Sequence, residues 1–163
     1  KIVLSGDSFD LIDKNFRDYN STINFYFNAK HLNIDGRYIQ LFPNDSLINN
    51  ISIITSISEK YSKNNDHLIS ITCKEEFDSN DAIPILIKKL SKFYNEDSKN
   101  FSFLKSFHIH KATIFHPVNF YNNTYINLNN GYFSGDTDGT GSIENAVISG
   151  NNIANKILNN YDN

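Results

Sequence analysis

Gly131-Tyr132-Phe133-Ser134-Gly135-Asp136-Thr137-Asp138-Gly139-Thr140-Gly141-Ser142-Ile143-Glu144-Asn145-Ala146-Val147-Ile148-Ser149-Gly150 decides how this chain is read. Tyr132 and Phe133 form a short β-favouring run, and Gly135 stops it. Gly135, Gly139 and Gly141 are three glycines within seven positions, which lets the backbone turn tightly and approach a ligand closely. Ser142 then stands where a helix N-cap belongs. Ile143, Ala146, Val147, Gly150, Ile153, Ala154, Ile157 and Leu158 follow at the spacing of one buried helical face. The N–H groups of the first turn and the positive end of the helix dipole would face whatever the glycine turn embraces, an anion or an electron-rich ring edge. The plainer alternative is an ordinary strand-to-helix connection, its glycines serving only to turn the chain.

The remaining composition sets bounds. A chain of 163 residues is long enough for a real core. With 39% hydrophobic residues, 20% charged residues and a net charge of -3, the composition is globular and gives no electrostatic case for nucleic acid or an anionic membrane surface. Cys73 is the one cysteine, which excludes an intrachain disulfide framework and suits a reducing compartment. No apolar run is long enough to cross a membrane and no signal peptide is recognised, so a cytoplasmic location is expected, with peripheral membrane association left open. Heavy use of Asn makes matches such as Asn20-Ser21-Thr22 expected by chance, and no glycosylation is inferred from them. Methionine is absent even at position 1, which points to a processed N-terminus or a piece of a longer chain. The seven glycines, at 6, 36, 131, 135, 139, 141 and 150, nowhere give the Gly-x-Gly-x-x-Gly spacing that normally builds the ADP half of a dinucleotide site.

Taken in order, Ile2-Val3-Leu4 predicts a strand, and Phe9, Leu11, Ile12 and Phe16 a helix after it. Ser21 to Phe27 alternates, with Ile23, Phe25 and Phe27 on one face and Thr22, Asn24 and Tyr26 on the other. Tyr38 to Phe42, Ile51 to Ile57 and Leu68 to Cys73 are further strands, separated by turn residues such as Pro43-Asn44-Asp45. The spacing predicts an antiparallel or mixed sheet. A helix follows to about Tyr94, capped in the stretch Asp78 to Asp81, with Pro84 in its first turn. Its inner face is read as Ala82, Ile85, Leu86, Leu90 and Phe93, and Lys88, Lys89 and Lys92 as a solvated face. Asn95 to Asn100 is a polar loop, and Phe101 to Phe115 a strand region. His108 and His110 share a face of that strand and could hold a metal, but no third ligand has diagnostic spacing, so no metal is expected.

The quoted stretch resembles the C-terminal flavin-binding motif of the FAD-dependent amine oxidase, phytoene desaturase and protoporphyrinogen oxidase superfamily. The matching residues are Gly135, Asp136, Thr140, Gly141, Ser142, Ile143, Ala146, Ser149, Gly150 and Ala154. The chain departs from the motif at Asn145, where Gly is usual, and at Ile153, where the first Ala of a pair is usual. Ser21-Thr22-Ile23-Asn24-Phe25-Tyr26-Phe27, Leu47-Ile48-Asn49-Asn50-Ile51-Ser52 and Ser58-Glu59-Lys60-Tyr61-Ser62 resemble the phytoene-dehydrogenase-like branch. His110-Lys111-Ala112-Thr113-Ile114-Phe115 resembles the strand that precedes the motif, without its usual proline.

The resemblance implies an α/β to α+β chain with three parts. Residues 1–18 and 118–163 would be pieces of a Rossmann-like FAD-binding domain whose N-terminal half is missing. Residues 19–117 would be a substrate domain of mixed sheet and helix, walling a cavity that Phe25, Tyr26, Phe27, Ile39 and Leu41 could line. FAD would be held by Gly135, Asp136, Thr140, Gly141, Ser142, Ile143 and Ala146. Asp136 would bond the ribityl or diphosphate linker. The N–H groups around Ser142 and Ile143 would face the flavin pyrimidine, and Lys111 or a histidine would sit near the ring. A second chain carrying the Gly-x-Gly-x-x-Gly half is the implied partner, in a heteromer. The substrate would be a small hydrophobic molecule or an amine. No catalytic side chain is assigned. The chain would be a subunit or fragment of a flavin-dependent dehydrogenase, desaturase or oxidase; the alternative is a non-catalytic accessory or assembly subunit with the same fold.

Overall fold

The computed structural model describes residues 2–6, 8, 18–33, 38–74, 79–115, 127–128, 131–135 and 141–159. The predicted helix over Phe9 to Phe16, the cap at Asp78, the site residues Asp136 and Thr140, and most of the Asn-rich connection after Pro117 lie outside them. The chain divides into two compact units, one made of Lys1–Asn20 with Thr113–Asn163, the other of Ser21–Ala112. Parallel and antiparallel pairing and two helices among the described residues make the class α+β.

The first unit holds β1 (Ile2–Ser5), β7 (Asn127–Leu128), β8 (Gly131–Ser134) and α2 (Ile143–Asn159). The strands are ordered β1-β8-β7. β1 runs parallel to β8 with Ile2 opposite Gly131 and Leu4 opposite Phe133, and β7 is antiparallel to β8. Parallel neighbours cannot be joined by a tight turn, and here they come from opposite ends of the chain. A Cβ on Gly131 would lie 2.8 Å from the Ile2 carbonyl oxygen, so this register needs glycine there. α2 packs on β8. Phe133, Ser149 and Ile153 are buried in this unit.

The second unit is a five-stranded sheet with a helix. β2 (Tyr19–Ala29), β3 (Ile39–Leu41), β4 (Ile48–Ile53), β5 (His67–Cys73) and β6 (Phe101–Ile114) take the order β3-β4-β5-β2-β6. β2–β5, β4–β5 and β3–β4 are antiparallel. The alternation read from the sequence is realised. Ile23, Phe25, Phe27 and Ala29 of β2 join Ile51 and Ile53 of β4 and Ile69, Ile71 and Cys73 of β5 in one buried cluster. α1 (Ser79–Tyr94) completes that cluster with Ala82, Leu86 and Leu90. Burial pushes the Cys73 thiol up to about 12, and the nearby Asp45 carboxylate adds to the shift.

Three readings are corrected. β4 begins at Ile48 and ends at Ile53, where a 3-10 turn over Ile54–Ser56 takes over, so Ile54 to Ile57 are not strand. Ser56 closes that turn by donating its hydroxyl to the Ile53 carbonyl, 2.7 Å. On α1, Ile85 and Phe93 are exposed, and Ile83, Ile87 and Tyr94 pack against the core in their place. The buried stripe therefore follows the 82, 86, 90 row and its i+1 shoulder, not the i+3 one. The helix starts at Ser79, which puts Pro84 in its second turn.

Candidate functional site

Two surfaces bear on the inferred chemistry, one in each unit. In the first unit, β8 delivers Gly135, whose N–H donates to the Ser149 hydroxyl on α2 at 3.3 Å. That bond fixes the strand end against the second turn of the helix and gives the buried Ser149 a partner. Gly141 has φ +63°, the left-handed region that favours glycine. Ser142 is the N-cap that the sequence suggests. Its hydroxyl accepts the Asn145 N–H at 3.2 Å and its carbonyl accepts the Ala146 N–H at 3.1 Å. The N–H groups of Ile143 and Glu144 precede the first intrahelical bond, so they point out of the helix start. Glu144, an acid in the first turn, complements the same dipole end.

The structure thus brings Gly135, Gly141, Ser142, Ile143 and Ala146 to the strand end and helix start. Ile143 is 87% exposed, Ala146 is half-buried, and Val147 and Leu158 are also exposed. The buried helical face expected from spacing is narrower in the chain by itself: Ile153 and Ser149, with Ala146, Gly150 and Ile157 half-buried. Arrangements of this kind can hold an anion or an electron-rich edge through backbone N–H groups and the helix dipole.

In the second unit, α1 covers one face of the sheet, and among the described residues the other face carries no α-helix of this unit. Of the five residues named as a possible cavity lining, Phe25 and Phe27 are buried in the helix-covered core and cannot line anything. Tyr26, Ile39 and Leu41 do lie on the open face. Ile39 stands opposite Ser52 and Leu41 opposite Asn50, and Ser52 and Asn50 stand opposite Ser70 and Thr72. The centre of that face is polar. Asn24 donates to the Ser70 hydroxyl at 3.1 Å and accepts from the Thr72 hydroxyl at 3.1 Å. Alternation read from the sequence places these residues outward, but their bonding to one another depends on β2–β5 register, which the sequence does not show.

β6 contributes to both faces because its alternation is interrupted. Phe103 packs on Phe25 and Phe27, with ring centres 6.3 and 5.7 Å apart. Phe107, four residues on, meets Tyr26 edge-on at 5.9 Å, on the opposite face of β2. An unbroken strand would put Phe103 and Phe107 on one side.

Sequence reasoning missed two further features of this unit. Lys89, read as solvated, is half-buried and pairs with Asp45. Burial alone would raise the Asp45 carboxyl, but the Lys89 ammonium and the N–H groups of Ile48 and Leu47 outweigh it and hold the group below its ordinary value. The second feature is a half-open cavity of about 850 Å³ lined in part by Thr55, Ile57, Glu59, Lys60, Asp66 and His67. Its polar lining is partly committed to structure: the Thr55 hydroxyl accepts the Leu68 N–H at 3.2 Å, and Asp66 accepts the Asn28 amide at 2.8 Å.

No protein-family model and no curated protein matches the chain. Solved structures do. The chain is similar to an oxidoreductase from Methanosarcina mazei, with a TM-score of 0.64 and 12% identity over 91% of this chain and 36% of that one. It is also similar to a protein from Pyrococcus furiosus, with a TM-score of 0.51 and 16% identity over 78% of this chain and 28% of that one. At such identities the likeness is one of fold. The chain spans about a third of the length of these structures.

Proposed function

We propose that this chain is part of an FAD-dependent oxidoreductase, of dehydrogenase, desaturase or oxidase type. In this reading Gly135, Asp136, Thr140, Gly141, Ser142, Ile143 and Ala146 hold the flavin. The observation that carries it is the strand end and helix start just described: Gly141 in the left-handed region, followed directly by the Ser142 cap. The fold likeness to a solved oxidoreductase supports it at the level of fold. The flavin supplies the redox chemistry; the chain supplies orientation and electrostatics. The first-turn N–H groups of α2 would stabilise negative charge on the flavin ring, and Asp136 would bond its linker.

The open face of the second unit is the proposed substrate wall. Its polar centre of Asn24, Ser70 and Thr72, flanked by Ile39, Leu41 and Phe107, suits a substrate with hydrogen-bonding groups, and so an amine over a pure hydrocarbon. The dinucleotide fingerprint that the seven glycines do not provide would lie outside these residues, on a second chain or elsewhere on the same polypeptide. The second reading is a non-catalytic accessory or assembly subunit that keeps the same fold.

The flavin content of the wild type separates the two, and Gly141→Val tests the site. A β-branched residue cannot adopt φ +63° without strain. Flavin absorbance is expected to be lost while far-ultraviolet circular dichroism is kept. Retained flavin in this variant would remove Gly141 from the site, and a wild-type protein without flavin would favour the accessory role.

A further inference from the structure

The half-open cavity of about 850 Å³ in the second unit is unused by the flavin reading. Two short 3-10 turns, Ile54–Ser56 and Glu59–Tyr61, and the start of β5 contribute its walls. Its size lies within the range of small-molecule sites, but its lining side chains are mostly polar where those of such sites are mostly apolar. A polar lining selects a ligand that returns hydrogen bonds.

Much of that lining is uncommitted. Thr55 is only 9% exposed, and its hydroxyl oxygen accepts the Leu68 N–H. The hydrogen of that hydroxyl has no acceptor among the described residues. A buried donor left in this state costs stability until something accepts from it. One oxygen of the half-buried Asp66 accepts the Asn28 amide, and the other accepts nothing among the described residues. The side chains of Glu59, Lys60 and His67 make no hydrogen bond there, and neither carboxylate has an ion-pair partner.

The character of the wall alternates. Lys60 follows Glu59, and His67 follows Asp66. An anion such as phosphate would meet two carboxylates, and a simple ammonium ion would meet Lys60. A neutral molecule that both gives and takes hydrogen bonds meets no like charge. The carboxylates accept from its hydroxyls, while Thr55, Lys60 and the imidazole donate to its oxygens. Leu32 and Ile57 offer apolar contact to its C–H surface. We propose that this cavity binds a small, neutral, hydroxyl-rich molecule, a ring sugar or an open-chain polyol, with Thr55 donating to it and Glu59 and Asp66 accepting from it.

The test is a proton–nitrogen NMR titration of the whole chain with glucose, galactose, sorbitol, ethanolamine and inorganic phosphate, each added separately. A sugar or sorbitol should shift the backbone amide resonances of Ser56, Ile57, Asn65 and His67 in a saturable way, and the comparison between them separates a ring from an open chain. Ethanolamine and phosphate should not. Two variants are compared, each first shown to melt at the wild-type temperature. Glu59→Gln/Asp66→Asn should bind at least about tenfold more weakly, because it removes the charged acceptors. Asp81→Asn, which exchanges an exposed carboxylate on α1, should bind as the wild type does. The map of shifted amides tests the site without any substitution. No saturable shift with either sugar or with sorbitol, saturation by ethanolamine or phosphate instead, shifts scattered away from the cavity, or undiminished affinity in Glu59→Gln/Asp66→Asn would overturn the assignment.

Discussion

Asp45 shows how one side chain organises its surroundings. Its carboxylate accepts the Leu47 and Ile48 N–H groups at 2.8 and 2.9 Å, which starts β4, and it pairs with Lys89 on α1. A carboxyl held below its ordinary value in the folded chain contributes stability that is present above its unfolded value, about 4, and lost as pH falls through the lower folded one. Melting temperature should therefore decline on acidification below pH of about 4, and Asp45→Asn should flatten part of that decline while lowering stability at neutral pH. An unchanged acid limb in Asp45→Asn would take Asp45 out of the linkage. Gly131→Ala is a steric test at the same scale. The Ile2 carbonyl oxygen 2.8 Å from the new Cβ is backbone and cannot swing away, so β1 and β8 must part. A loss of about 1–3 kcal/mol in chemical denaturation is expected; a variant as stable as the wild type would contradict the β1–β8 register. Pro43-Asn44-Asp45 was legible as a turn because turn chemistry is local. The partner Lys89 was not, because it lies 44 residues away and only the packing of α1 against β4 brings it near.

Among elements, the strands were the most legible. Two-residue alternation in β2 and β5 reports burial directly, since one face meets α1 and the other does not. α1 was legible in extent and misread in rotation. Its apolar residues Ile83, Ile85, Leu86, Ile87 and Phe93 offer two overlapping stripes, and only contact with the sheet selects one. Phe93 sits at the margin instead, its ring centre 5.0 Å from that of Phe42. β6 hid its interruption because Phe103 and Phe107 have the same parity. Asn100, at the close of the polar loop, adds a side-chain tie between the end of β2 and the start of β6. Its side-chain oxygen accepts the Lys30 and His31 N–H groups, both at 3.0 Å, and its amide donates back to the His31 carbonyl. Asn100→Ala should cost about 1 kcal/mol, or roughly 4–8 °C of melting temperature in a unit of this size. A change below one degree would mean that water replaces these bonds at no cost.

At the scale of the whole molecule, each unit is assembled from what the chain order separates. The first draws its parallel pair of strands from residues near positions 2 and 131, which no local pattern could show. The residues proposed to hold the flavin were legible as a motif, and Gly135, Gly141, Ser142, Ile143 and Ala146 stand where a strand end meets a capped helix. The helix also leaves Ile143, Val147 and Leu158 exposed. Burying each against a partner would contribute about 1.5–3 kcal/mol. Val147→Asp should therefore abolish association with the proposed second chain and leave the melting of this chain unchanged, because Val147 faces solvent here. Co-purification undiminished by Val147→Asp would place the interface elsewhere.

The central claim is that a flavin rests at the start of α2. The most direct measurement is the absorption spectrum of the protein isolated from its native source, with intact-mass analysis of every polypeptide that accompanies it. The account predicts flavin bands, together with a dinucleotide fingerprint on a co-purifying chain or on the same polypeptide. A colourless protein with no such fingerprint would contradict it.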